Sequence, residues 1–125
     1  MPTMPQTILV VDDSPTIVKF VSFSLKNKGY HVVTASDGME AIEKISNSSE
    51  SIALIITDLN MPNLDGFSLI DTLRQSESHS DTPIIILSSE DGTDERERGM
   101  QVGASSYLVK PFKSSLLLSE VSKYL

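Results

Sequence analysis

Five short apolar runs restrict the fold of this chain more than anything else in it. They occupy residues 7–11, 30–35, 52–57, 83–87 and 106–109. Three of them are continuously apolar and rich in Ile, Leu and Val, the pattern of strands covered on both faces. A buried helix needs roughly ten residues or more, and none of the runs is that long. None can cross a bilayer either, because the longest unbroken apolar stretch, 52–56, has five residues.

Amphipathic segments separate the runs. Ser14 before Pro15 reads as an N-cap followed by the first helical residue, with Gly29 as the stop and Ile17, Val21 and Leu25 along one face. A second helix over 38–45 turns Ala41, Ile42 and Ile45 inward. A third follows Asp65-Gly66, a pair read as turn chemistry, and carries Phe67, Ile70 and Leu73. The last starts near Lys113 with Leu117, Val121 and Tyr124 inside, leaving Leu116 off that face for a partner. Residues 91–102, DGTDERERGMQV, make the weakest helix, with Met100 and Val102 as its core anchors. Gly99 costs that helix about 1 kcal/mol relative to Ala, so it is expected to be the most mobile of the five. The charged stretch 90–98 reads as its solvated face.

Five strands alternating with five helices predict an α/β, doubly wound fold. Its parallel sheet would be covered on both faces by right-handed crossovers. The second strand, ending in Ala35-Ser36-Asp37, reads as an edge. One domain over 7–125 is expected behind a flexible tail of residues 1–6.

Composition then narrows the function. Seventeen acidic against ten basic residues give a net charge of −7, which argues against nucleic acid or an anionic membrane as partner. With no cysteine, a disulfide framework, a redox thiol and a Cys-based metal centre are excluded. The first residues, MPTMPQ, lack the basic start and apolar stretch of a signal peptide, so a cytoplasmic protein is expected.

In an open parallel sheet, ligands bind outside the carboxyl ends of the strands. The first run ends in Asp12-Asp13, the third in Asp58, the fourth in Ser88 and the fifth in Lys110-Pro111. Taken singly, each is ordinary: acidic pairs cap helices, and a serine at a strand end bonds locally. Taken together they bring three carboxylates, a hydroxyl and an ammonium to one rim. Three carboxylates repel, Lys110 offsets one charge, and a divalent cation would balance the rest. Oxygen-only ligands favour a hard ion, and an incomplete protein shell suits Mg²⁺ beside a phosphoryl group. Asp58, central and alone on its strand, is the candidate nucleophile for an acyl phosphate. Lys110 and Ser88 would stabilise the phosphoryl oxygens.

The segments VVDDSP (10–15), DLNMPNLDG (58–66), Leu87-Ser88-Ser89 and VGASSYLVKPF (102–112) resemble response-regulator receiver domains, over essentially the whole chain. The resemblance implies the flavodoxin-like strand order 2-1-3-4-5, for which the chemotaxis receiver is a standard example. It implies that Asp58 takes a phosphoryl group from a sensor histidine kinase or a histidine phosphotransfer protein. Mg²⁺ would be bound by Asp13, Asp58 and the Asn60 carbonyl, with Asp12 acting mainly through a metal water. Lys110 would pair with the phosphoryl oxygens, and Lys110-Pro111 would be a cis peptide. Ser88 and Tyr107 would form the switch, changing the face made by the fourth helix, fifth strand and fifth helix toward a downstream protein target. Asn60 and Glu90 would tune hydrolysis, and this pair resembles chemotaxis-type receivers with a short-lived phosphorylated state. Ser88 stands where Thr is commoner in the family, and Ser89 where Ala is usual; both keep the site small and hydroxylated.

Two other functions compete. A haloacid-dehalogenase-type phosphatase also uses an aspartyl nucleophile with Mg²⁺, but it calls for Asp-x-Asp after its first strand and not the adjacent Asp12-Asp13. A phosphate-independent interaction module would not need the full acidic set. A flavodoxin-like cofactor protein is excluded by the lack of a phosphate-binding loop after the first strand. His31 and His79 are read as exposed and inert, which makes the chain a phosphate acceptor and not a donor, a switch and not an enzyme in the ordinary sense. Monomer or weak dimer is the expected state.

Overall fold

The computed structural model describes residues 5–47, 51–89 and 93–125. Glu90, the proposed helix start at Asp91, and residues 1–4 of the expected tail lie outside that set. Strands β1 (Thr7–Val11), β2 (His31–Ala35), β3 (Ile52–Asp58), β4 (Ile84–Ser88) and β5 (Ser106–Val109) alternate with helices. The helices are α1 (Pro15–Asn27), α2 (Gly38–Asn47), α3 (Gly66–Arg74), α4 (Thr93–Val102) and α5 (Ser114–Ser122), with a 3-10 turn at Glu77–His79. Every ladder is parallel and the strand order is β2-β1-β3-β4-β5, the doubly wound arrangement expected, with β2 at an edge.

Strand periodicity sorts the core into two layers. Ile8, Val10, Leu54, Ile56, Ile85, Leu87 and Leu108 pack with Val21 and Leu25 of α1 and Leu117 and Val121 of α5. Leu9, Val11, Ile55, Ile84, Ile86 and Tyr107 face the other way, toward Ala41 of α2 and Phe67, Leu69, Ile70 and Leu73 of α3. Ile52 joins this second layer because the β1–β3 register slips one residue between Thr7 and Ile8.

Local signals set the ends of the elements. The Ser14 side chain accepts from the Ile17 N–H at 3.4 Å ahead of Pro15, and Gly29, at φ +92°, turns the chain out of α1. Asp65 caps α3 by accepting from the Ser68 N–H at 2.8 Å. Among the described residues no helix is long and apolar enough to cross a membrane.

Two sequence expectations need correction. Met100 is not a core anchor of α4; it is 44% exposed, and Val102 alone of the two packs inward. Among the described residues of α4, Gly99 is the buried one, where an added Cβ would lie 2.6 Å from Ile86 Cδ1. His79 is half-buried, its Nδ1 3.0 Å from Thr82 Oγ1, while His31 is exposed as expected. Burial and the nearby Arg74 guanidinium hold the His79 imidazole below its ordinary value.

Candidate functional site

The site is the rim at the carboxyl ends of β1, β3, β4 and β5. Asp12 follows β1 and is buried, and both of its oxygens are engaged. Oδ1 accepts from the Ser14 N–H at 2.9 Å, and Oδ2 accepts from Lys110 Nζ at 2.8 Å. Asp13, the next residue, is exposed. Asp58 is the last residue of β3, 7% exposed, with Oδ1 accepting from the Leu59 N–H at 2.8 Å and lying 3.5 Å from Lys110 Nζ. One oxygen from each of Asp12, Asp13 and Asp58 can be chosen so that all lie within 4.8 Å of one another.

The sheet brings the remaining residues to the same rim. Ser88 ends β4, fully buried, and its carbonyl accepts from the Lys110 N–H at 2.7 Å. Lys110 follows β5 directly, and the Lys110-Pro111 bond is cis. Asn60 is exposed on the loop after β3. Gly66 lets that loop close tightly, since a Cβ there would lie 2.3 Å from the Asp58 carbonyl oxygen. Asp65-Gly66 is therefore more than turn chemistry: it caps α3 and seats it against Asp58. Tyr107 lies one strand over, 6% exposed, with the Arg96 guanidinium 5.0 Å from its ring centroid.

Charge shapes the site. Burial, and then the Asp12 carboxylate, push the Asp58 carboxyl above its ordinary value, and Lys110 only partly offsets them. The rim is thus a partly buried, net negative pocket of hard oxygen donors with one fixed cation. Such a set suits a divalent ion that keeps some of its waters. Asp12, Asp13 and Asp58 each offer such an ion a carboxylate oxygen.

Sequence reasoning missed three contacts around this rim. Lys110, which the resemblance pairs with phosphoryl oxygens, donates to Asp12 Oδ2. The Asn63 side-chain amide donates to Asp37 Oδ2 at 2.7 Å, tying the loop after β3 to the start of α2. Asn63 itself sits at φ 69°, and its place in the turn NMPNLDG was the available signal. The Arg98 guanidinium lies 4.0 Å from the Phe67 ring centroid, a contact that no periodicity announces.

The family profile of the response regulator receiver domain matches residues 8–122, and the chain belongs to that family. It is 37% identical over 117 residues to Protein PilG of Pseudomonas aeruginosa, covering 94% of this chain and 85% of that one. Other curated relatives include longer transcriptional regulators, of which the chain spans 44% to 49%. Among solved structures, chemotaxis response regulator CheY4 of Vibrio cholerae superposes with a TM-score of 0.90 at 37% identity, over 97% of this chain and 99% of that one. The receiver domain of sensor histidine kinase PA1611 from Pseudomonas aeruginosa superposes at 0.87 with 31% identity, over 96% and 97%. That crystal structure has a magnesium ion coordinated in its active-site cleft. The chain is thus a receiver domain of two-component signalling, a class of switch that takes phosphate from histidine kinases and acts on downstream targets.

Proposed function

We propose that Asp58 is the phosphoacceptor of this receiver. The observation that carries the reading is the convergence of Asp12, Asp13, Asp58 and Lys110 on one rim, with Asp58 at its buried centre. An Asp58 carboxylate oxygen attacks the phosphorus of a phosphohistidine on a sensor kinase or histidine phosphotransfer protein. The O–P bond forms as the P–N bond breaks, and the electron pair leaves with the imidazole. When bound by Asp13, Asp58 and the Asn60 carbonyl, Mg²⁺ would neutralise charge on the carboxylates and the incoming phosphoryl oxygens.

Lys110 holds Asp12 in place and turns its ammonium toward the phosphoryl oxygens once they arrive. The Ser88 hydroxyl donates to one of them. Tyr107 follows Ser88, and the face formed by α4, β5 and α5 changes its affinity for a downstream protein. Asn60 and Glu90 set how readily water attacks the acyl phosphate and returns Asp58. The reading takes residues 7–125 as one cytoplasmic receiver, monomeric or weakly dimeric.

Intact mass after incubation with acetyl phosphate tests it. Wild type should gain one phosphoryl adduct that depends on Mg²⁺, and Asp58→Asn should gain none. Asp13→Ala should weaken Mg²⁺ binding in a titration. Labelling of Asp58→Asn at the wild-type level would refute the assignment. No adduct on a folded wild type that binds Mg²⁺ would favour a phosphate-independent module.

A further inference from the structure

The loop of residues 59–65 starts directly after Asp58 and leads into α3. Its base is closed twice. The Leu59 N–H donates to Asp58 Oδ1 at 2.8 Å, and the Gly66 N–H donates to the Leu59 carbonyl at 2.9 Å. Beyond that base, Asn60, Pro62 and Asn63 are exposed, while Met61 and Leu64 are partly buried against the α2–α3 layer. The Leu64 N–H donates to the Pro62 carbonyl at 2.8 Å, two residues back, around Asn63 at φ 69°. A three-residue turn centred on a positive φ is the rare and strained form of the γ-turn. Such a turn persists where neighbouring structure holds it, and it marks a place where function has a use for the strain.

The holding contacts come from the start of α2. Asn63 Nδ2 donates to Asp37 Oδ2 at 2.7 Å, and an added Cβ on Gly38 would lie 2.5 Å from the Leu64 carbonyl oxygen. Helix and loop thus meet backbone against backbone. Asp37 is itself a fixed post. Its Oδ1 accepts from the Glu40 N–H at 2.8 Å, and its carbonyl accepts from the Ala41 N–H at 3.0 Å. The Glu40 carboxylate reaches back to the Ser36 N–H and the Ser36 hydroxyl, at 3.2 Å each. This reciprocal arrangement is close to a capping box, and it orients the Asp37 carboxylate independently of the loop. The Glu40 N–H, and after it the Asn63 amide, hold the Asp37 carboxyl below its ordinary value, so it is ionised and accepts through both oxygens.

A metal ligand carried on loop backbone binds best when it is in place before the ion arrives, because ordering it afterwards costs affinity. Asn60 lies between the closed base at Leu59 and the turn at Asn63. Held at the base alone, its carbonyl keeps backbone freedom; held at the tip as well, the segment is fixed at both ends. We propose that Asp37 and Asn63 are positioning residues for the metal. Their hydrogen bond pins the loop to the capped start of α2 and so presets the Asn60 carbonyl beside Asp58 and Asp13. This rests on the reading of that carbonyl as a Mg²⁺ ligand.

Mg²⁺ titrations of the full chain test it with wild type, Asn63→Gly, Asn63→Asp and the swap Asp37→Asn/Asn63→Asp. Glycine accepts the positive φ and deletes the amide. Aspartate also tolerates that φ, but alone it sets two carboxylates against each other. The swap reverses donor and acceptor at unchanged net charge: the new amide at 37 caps α2 with its oxygen and donates to the new carboxylate at 63. Both single variants should bind Mg²⁺ about tenfold more weakly, and the swap should return to within about twofold of wild type. A buffer of about 0.5 M KCl screens the charge added by Asn63→Asp from the rim. The effect should lie in the Mg²⁺ concentration for half-maximal labelling by acetyl phosphate, and not in the rate at saturation. In the metal-free chain, amides of residues 59–66 should exchange with solvent faster in the single variants and at the wild-type rate in the swap. Unfolding midpoints should stay close to wild type, since the bond is exposed. The inference is overturned if Asn63→Asp binds Mg²⁺ as wild type does, if the swap binds no better than Asn63→Asp, or if amide exchange in the loop changes while Mg²⁺ affinity does not. Those outcomes leave Asp58 standing as phosphoacceptor. A wild type that binds Mg²⁺ but takes no phosphoryl group overturns the role of Asp58 alone, and one that binds no Mg²⁺ overturns both.

Discussion

Helices α1 and α4 cover opposite faces of one sheet and are held there by different forces. α1 buries Val21 and Leu25 completely, behind an N-cap and a proline first turn. Each such side chain contributes about 1.5–3 kcal/mol by leaving water. α4 buries a glycine. Its other attachments are the partly buried Val102, Arg96 over Tyr107, Arg98 over Phe67, and the Arg74 side chain from α3, whose Nε donates to the Gly103 carbonyl at 3.0 Å. Exposed cation–π contacts are worth about 0.5–1 kcal/mol each. Apolar burial fixes a helix against large displacement, whereas a few small polar contacts can be exchanged for others at little net cost. The difference makes α1 the more firmly held of the two helices.

The comparison can be broken from either side. Leu25→Ala should produce the largest effect, a loss of about 2–5 kcal/mol in urea unfolding, because a fully buried side chain leaves a cavity in the layer under α1. Gly99→Ala should cost about 1 kcal/mol in the same measurement. The gain in helix propensity is outweighed by the overlap with Ile86, itself fully buried in β4. A stabilised Gly99→Ala would mean that α4 has room to lift. Arg96→Ala with Arg98→Ala should lower global stability by about 1 kcal/mol, since two exposed cation–π contacts are lost and the higher helix propensity of Ala returns part of their worth. Hydrogen exchange across α4 should accelerate while α1 stays protected. Equal protection of α1 and α4 in the wild type would end the distinction.

The smallest effect should come from pH. The folded imidazole of His79 sits below 6.5, mainly through burial and then through Arg74, so the unfolded chain binds more protons in the interval between the two values. Stability from this group is complete above 6.5 and is lost as pH falls through that interval. The His79 carbonyl also accepts from Arg74 Nη1 at 2.9 Å, so the loss falls on the α4 side of the molecule. His79→Gln should flatten the slope of unfolding free energy between pH 7.5 and 5.

Much of this was legible along the chain. The strands were, because runs such as ILVV and IIIL are too short and too β-branched for anything else. The rim was, because a parallel sheet sends every strand's carboxyl end to one side, so Asp12, Asp58, Ser88 and Lys110 could be gathered by position alone. α4 was misread at Met100 because its pattern is nearly all polar, and periodicity without apolar residues cannot say which side faces in. His79 was misread because burial in a loop depends on what folds over it.

The sequence by itself determined the element order, the doubly wound fold and the residues of the acidic rim, since these follow from local periodicity and from chain direction. Only the tertiary structure decided which groups meet. It engaged both Asp12 oxygens, with Lys110 and with the Ser14 N–H, and it required glycine at position 66 through an approach to backbone that a Cβ would block. Such outcomes depend on distances between residues far apart in sequence, and these are set by packing rather than by composition or local pattern.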